Sequence, residues 1–153
     1  MGIFRGVFSV KIDSKFRMNV PVRYRGDHGG LGHGVVVTID AVDRCLLLYP
    51  LSAWEEVEKH IEALPSFNKA TRRVKRLLIG HAHDLEMDRQ GRILLPSSLR
   101  EYAELGSQVV LVGQGKKFEI WSQERWESQR QQWLGEIGQD DQITSADLDD
   151  LPL

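Results

Sequence analysis

The chain has 153 residues, 41% of them hydrophobic and 27% charged, with a formal net charge of −2; it reads as a soluble globular protein with one modest core or two small ones. No apolar run approaches the ~20 residues needed to span a bilayer, and MGIFRGVFSV lacks the apolar stretch and cleavage site of a secretory leader, so a cytoplasmic location without membrane contact is expected. One cysteine, Cys45, excludes an internal disulfide, and its neighbours Leu46, Leu47 and Leu48 predict a buried strand thiol.

Residues 1–26 carry Arg5, Lys11, Lys15, Arg17, Arg23 and Arg25 against Asp13 alone, a net of +5. Such local density outweighs the total charge because the Debye length is about 8 Å. Within this segment Phe8, Val10 and Ile12 alternate with Ser9 and Lys11, and Met18, Val20 and Val22 alternate with Asn19 and Pro21. Period two on both flanks predicts paired strands around the turn Ser14-Lys-Phe16, with the Asp13 carboxylate placed to accept the turn's N–H groups. The glycine-rich HGGLGHG at 28–34 precedes a strand and lacks the Lys-Ser/Thr of a phosphate loop, so it reads as a flexible loop. Strands are predicted at Val35–Ile39 and Cys45–Tyr49. Ser52-x-x-Glu55 has the form of a capping box for a helix that presents Trp54, Val57, Ile61 and Leu64 until Pro65 ends it. Asn68 caps the next helix and Gly80 closes it. Lys69, Arg72, Arg73 and Arg76 share one face of that helix, with Ala70, Val74, Leu77 and Leu78 toward the other. The stripe admits two uses, a solvated or subunit-contacting surface and a direct phosphate contact.

The second half restates the first. Met87-Asp-Arg-Gln-Gly-Arg-Ile-Leu-Leu-Pro96 repeats Ile12-Asp-Ser-Lys-Phe-Arg-Met-Asn-Val-Pro21, with Asp88, Arg92, Pro96 and Arg100 each 75 residues after Asp13, Arg17, Pro21 and Arg25. Gly91 suits a turn position with positive φ; at Phe16 that conformation is costly, so the first turn either has another geometry or exposes a ring. Ser98-x-x-Glu101 reads as a second capping box, with Gly106 as the stop. Strands follow at Val109–Val112 and Lys117–Trp121, then a helix from Ser122 with Trp126 and Trp133 on one face, read as core or interface. An offset of 72 lays Leu46, Leu48, Tyr49 and Trp54 on Phe118, Ile120, Trp121 and Trp126. One supersecondary unit is duplicated, and since one unit leaves its edges exposed, the copies must interleave or pair, making an α+β pseudo-dimer in one chain. Residues 136–153 carry six acids, no Lys or Arg and no periodicity, and are expected to form a mobile tail. The organisation is therefore read as a first repeat over 1–66, a basic connecting helix over 67–82, a second repeat over 83–135 and the tail.

Asp13 and Asp88 invite an acid/base reading if pseudo-symmetry joins them. An Arg four residues after each lowers its pKa, whereas a dyad must retain one proton, so no enzyme is expected. His28, His33, His60, His81 and His83 include one H-x-H but no set of Cys or carboxylates at ligand spacing, and neither metal nor cofactor is expected. A guanidinium at the tip of a two-stranded ribbon, flanked by Lys11, Lys15, Arg23 and Arg25, suits the major groove of B-DNA and the donor fork that reads guanine O6 and N7. In that reading Asp13 and Asp88 orient the turns. The alternative makes each Asp–Arg pair a structural clamp, and spacing alone does not separate the two. Charge favours the first hairpin as the DNA contact and leaves the second the more structural.

FRG at 4–6, IDSKFRMNVPVRYR at 12–25, CLLLYPLSAWEE at 45–56, RRVKRLLIGHA at 72–82 and MDRQGRILLP at 87–96 resemble the MraZ family over nearly the whole chain except the tail. The resemblance implies tandem SpoVT/AbrB-like domains of the swapped-hairpin β-barrel type, ring-shaped homo-oligomers and a transcriptional regulator, usually a repressor. Such proteins act on their own operon and the division and cell-wall gene cluster at repeated G-rich boxes, and associate with the nucleoid. The family's two motifs map to Asp13 with Arg17 and Asp88 with Arg92, and Phe16 departs from the family's common glycine. A ring carrying several weak hairpins gains from effective concentration, so a nearly neutral chain can bind double-stranded DNA tightly. The expected DNA-binding set is Arg17, Lys15, Lys11, Arg5, Arg23, Arg25 and Arg92. The runner-up is an interaction ring that docks a protein through the 69–76 face and the acidic tail.

Overall fold

The computed structural model describes residues 3–26, 30–137 and 151–152. It divides into a first unit, Met1–Gln123, and a second, Glu124–Leu153. Among the described residues the first unit holds eight strands: β1 (Val7–Lys11), β2 (Arg17–Asn19), β3 (Val35–Ile39), β4 (Leu46–Pro50), β5 (His83–Leu85), β6 (Arg92–Leu94), β7 (Gln108–Gly113) and β8 (Phe118–Ser122). Its helices are α1 (Leu51–Glu62), α2 (Lys69–Val74) and α3 (Ser97–Tyr102). The long helix of the C-terminal region is α4 (Gln123–Glu136).

Six strands form one antiparallel sheet in the order β1-β7-β8-β4-β3-β5, and β2 pairs with β6 apart from it. This order is its own mirror under the repeat: β1 matches β5, β7 matches β3 and β8 matches β4. Alternation correctly predicts strands on both flanks of each turn, but the flanks do not pair with each other as expected. β1 pairs with β7, placing Val10 opposite Val109, and β5 pairs with β3, placing Leu85 opposite Val35. Of the first hairpin only the Ile12–Met18 bridge remains, together with the Asp13 N–H donated to the Arg17 carbonyl at 3.0 Å. The exchange has a physical cause: each half lends an edge strand to the other, so edges that would stay open in a single unit are covered.

Where the halves meet, β4 and β8 pair with Leu46 opposite Ile120 and Leu48 opposite Phe118. Both strands and β3 are buried along their whole length. Val35, Val37, Ile39, Leu46, Leu48, Phe118 and Ile120 enter the main core, where they meet Met18, Val20, Ile93 and Leu95 from the turn strands. Val36, Leu47 and Tyr49, on the opposite face, pack with Trp54 of α1.

Several local expectations give way to competing effects. Neither capping box forms: α1 and α3 follow Pro50 and Pro96 directly, and no side chain caps either N-terminus. Proline holds φ near −60° at both junctions, so the chain enters the helix two residues sooner than a serine cap would require. Val22, expected in a strand, is 75% exposed in a 3-10 turn that starts after Pro21. Past α3 the positive φ belongs to Glu104 (54°), two residues before the expected stop at Gly106. The Asn68 cap is present, its side chain accepting from the Ala70 N–H at 2.8 Å. After α2, however, the chain winds as a π-turn over Lys75–Ile79, and Gly80 ends it with right-handed φ, donating to the Lys75 carbonyl. Already in α2 Thr71 is buried and Ala70 exposed; past the extra residue of the π-turn, Leu77 packs on the main core and Leu78 and Ile79 pack around Trp54.

In the second unit Trp126 and Trp133 lie on one face of α4, their rings edge-to-face at 6.1 Å between centroids. Most of the predicted mobile tail, residues 138–150 and 153, lies outside the described residues, as do His28 and Gly29 of the predicted loop. No helix among the described residues is long and apolar enough to cross a membrane.

Candidate nucleic-acid interface

The repeated motif builds two turns of the same geometry. Asp13 Oδ1 accepts the Lys15 and Arg17 N–H groups at 2.9 and 3.0 Å, while Oδ2 accepts Arg17 Nε–H at 2.9 Å. Asp88 does the same with Gln90, Arg92 and Arg92 Nε at 2.9, 2.9 and 3.0 Å. In each case the arginine's own backbone N–H is the largest influence lowering the carboxyl pKa. Both carboxyls are thus held ionised, the opposite of the raised pKa that a proton-sharing dyad needs.

The two options for Phe16 resolve into one. Its φ of 64° matches the 78° of Gly91, and its N–H donates to Asp13 O at 3.0 Å just as that of Gly91 donates to Asp88 O. The ring is 45% exposed, and the Arg100 guanidinium stacks on it 3.6 Å from its centroid. The equivalent Arg25 lies against Gly91, where an added Cβ would overlap its guanidinium.

The exchange also sets the turns side by side. Met18 lies opposite Ile93, and the ladder continues with Leu95 N–H donating to Phe16 O (3.0 Å) and Val20 N–H donating to Gly91 O (2.9 Å). Arg92 Nη1 reaches Asp13 Oδ2 across the pair at 3.6 Å, so one guanidinium touches both motif carboxylates. Arg17 and Arg92 are partly buried, with side chains 28% and 23% exposed. Among the described residues the terminal nitrogens of Arg17 have no protein acceptor, because only Nε is committed to Asp13.

The remaining basic residues of the first segment divide. Lys11 and Lys15 are exposed beside the first turn. Arg5 is also exposed, but it lies beyond the far end of β1, about 20 Å from Lys11 at strand spacing, where its carbonyl accepts the Tyr24 hydroxyl. Arg23 is exposed over the Tyr24 ring at 5.2 Å. Arg25 turns inward, its Nε donating to Val20 O at 2.7 Å. One cation was not singled out from the sequence: Arg89 is exposed on the second turn, where the offset of 75 sets it against Ser14. Away from the turns, exposed Lys69, Arg72, Arg73 and Arg76 line a shallow depression with Leu77, and none belongs to an ion pair among the described residues.

Asp40, Cys45 and Glu119 form a second cluster, their ligand-type atoms within 4.8 Å of one another. Cys45, buried as expected, donates to Asp40 Oδ2 at 3.6 Å, and Trp121 Nε1 donates to Glu119 at 2.9 Å. Burial, reinforced by neighbouring carboxylates, pushes the Cys45 thiol far above its usual range and raises Glu119 as well. This is a buried polar network with its atoms already engaged. Nothing in the sequence announced it, because Glu119 sits between Phe118 and Ile120 like any outward strand residue. The H-x-H pair is committed to backbone: His81 Nδ1 donates to Leu77 O and His83 Nδ1 to His81 O, both at 2.9 Å.

Two interleaved repeats presenting adjacent Asp–Arg turns define a tandem SpoVT/AbrB-like α+β protein. A family described as "MraZ protein, putative antitoxin-like" matches twice, over residues 3–77 and 78–146. A protein of Marinomonas sp. (strain MWYL1) named transcriptional regulator MraZ is 51% identical over 148 residues, covering 96% of this chain and 98% of its own. Proteins of the same name from Coxiella burnetii (strain Dugway 5J108-111) and Legionella pneumophila (strain Corby) are 53% and 52% identical over 135 residues, 88% of this chain and 89% of theirs. The chain belongs to the MraZ family.

Proposed function

We propose that the chain is a transcriptional regulator that grips double-stranded DNA with its paired turns, acting without catalysis, metal or cofactor. The observation that carries this reading is the fork at Arg17: its carboxylate-anchored Nε fixes the direction of a guanidinium whose terminal donors stay available. A guanidinium so aimed can bond guanine O6 and N7 together in the major groove. Lys11 and Lys15 supply phosphate contacts beside it, and Arg92, with Asp88 and Asp13 as orienting carboxylates, extends the tip. Arg5 and Arg23 are assigned the outer phosphates.

In this reading residues 1–66 and 83–135 are the two repeats, 67–82 connects them, and residues 136–153 are the acidic tail. The regulator is a cytoplasmic, nucleoid-associated repressor of its own operon and of the division and cell-wall genes. It works as a ring-shaped homo-oligomer on repeated G-rich boxes, where several tips raise one another's effective concentration.

The test is titration of the purified protein against a duplex from its own upstream region, in several salt concentrations. A bidentate guanine contact is worth about 1–3 kcal/mol, so Arg17→Ala weakens binding by roughly 5- to 150-fold per tip. Unchanged affinity with an intact oligomer removes Arg17 from the site and favours the protein-docking alternative. Substituting Arg72 and Arg73 flattens the salt dependence by about one unit of slope for each phosphate they neutralise; an unchanged slope assigns the stripe to a neighbouring subunit.

A further inference from the structure

Arg25 and Arg100 stand in equivalent places, and each joins three elements. Arg25 Nε donates to Val20 O at 2.7 Å, while the N–H of the same Val20 donates to Gly91 O, the turn residue of the other half on which the Arg25 guanidinium rests. Arg100 Nε donates to Leu95 O at 3.0 Å, while Leu95 N–H donates to Phe16 O, and the guanidinium lies on the Phe16 ring at 3.6 Å. Phe16 and Gly91 are the left-handed residues that turn the chain back toward Arg17 and Arg92. Each arginine therefore sits on the weakest backbone link of the opposite turn.

We infer that Arg25 and Arg100 are positioning residues, each clamping the reading turn of the other half. Arg25 then acts on DNA through Gly91 and Arg92 and makes no phosphate contact itself, and Arg100 acts through Phe16 and Arg17. The inference rests on the proposed DNA-binding role, but the clamp has a readout that needs no DNA.

The experiment compares amide hydrogen exchange, resolved by mass spectrometry over residues 13–18 and 88–93, in the full chain and its Arg25→Ala and Arg100→Ala variants. The clamp predicts a crossed pattern. Arg100→Ala speeds exchange about fivefold in 13–18, and Arg25→Ala does so in 88–93, with the other turn little changed. DNA affinity falls in both variants while the slope of log affinity against log salt stays that of the parent. If either variant fails to fold, Arg25→Lys and Arg100→Lys replace it, since they keep the cation and lose the planar fork. Exchange that rises evenly, or chiefly in the arginine's own half, overturns the clamp. A salt slope that drops by about one unit in Arg25→Ala makes Arg25 a direct phosphate contact and overturns its positioning role. A crossed exchange pattern with DNA binding insensitive to Arg17→Ala sustains the clamp and refutes the DNA reading.

Discussion

Gly91→Ala tests the contact between the halves at its tightest point. Two costs add. Alanine at φ 78° sits in the left-handed region, at about 1–2 kcal/mol. Its Cβ would overlap the Arg25 guanidinium, and moving that group aside sacrifices the 2.7 Å bond to Val20 O, worth about 1 kcal/mol. The total of about 2–3 kcal/mol lowers the melting temperature by roughly 4–12 °C for a chain of this size. Urea and thermal unfolding followed by tryptophan fluorescence measure it, in the parent and in an Arg25→Ala background. With Arg25 removed, only the backbone cost of about 1–2 kcal/mol remains, so the cycle yields a coupling near 1 kcal/mol. A coupling below about 0.3 kcal/mol would refute the claim that Arg25 rests on Gly91.

Two further outcomes follow from the buried network. Burial raises the Glu119 carboxyl above its ordinary value, so the ionised form costs stability above the raised pKa and the cost vanishes below the unfolded value of 4.5. Glu119→Gln, which keeps an acceptor for Trp121 Nε1, therefore raises the melting temperature at pH 7, with a gain that shrinks as pH falls toward 4.5; a gain independent of pH refutes the buried charge. Cys45, fully buried with its thiol pKa raised, stays unlabelled by iodoacetamide at pH 8 in the native protein and reacts once urea unfolds it; rapid native labelling contradicts that burial.

The turns were legible in the sequence because the repeat fixes them twice: Asp, a three-residue turn and Arg recur at one offset, and the hydrogen bonds follow residue for residue. That the copies interleave or pair was readable from the open edges of a single unit, but which strand lies alongside which was not, and the swapped hairpin was implied by the family resemblance. Alternation in Phe8, Val10 and Ile12 says which side chains face inward, but it is the same whichever strand lies alongside. Arg25 was misleading for a related reason. In a segment with a net charge of +5 it looks like one more surface cation, and its inward partners come within reach only after the chain bends at Pro21. Ser52 and Ser98 have the residue spacing of capping boxes but cap nothing, because prolines two positions earlier start both helices ahead of them.

Joining both halves in one polypeptide frees the fingertips from having to be identical. In a dimer of identical chains, any substitution at a tip appears twice and must suit both places at once. Here Lys15 is equivalent to Gln90, Phe16 to Gly91 and Ser14 to Arg89 on a nearly symmetric frame. In the proposed DNA reading, one tip can change its preference while its twin keeps the older one, so asymmetric targets become accessible in single steps.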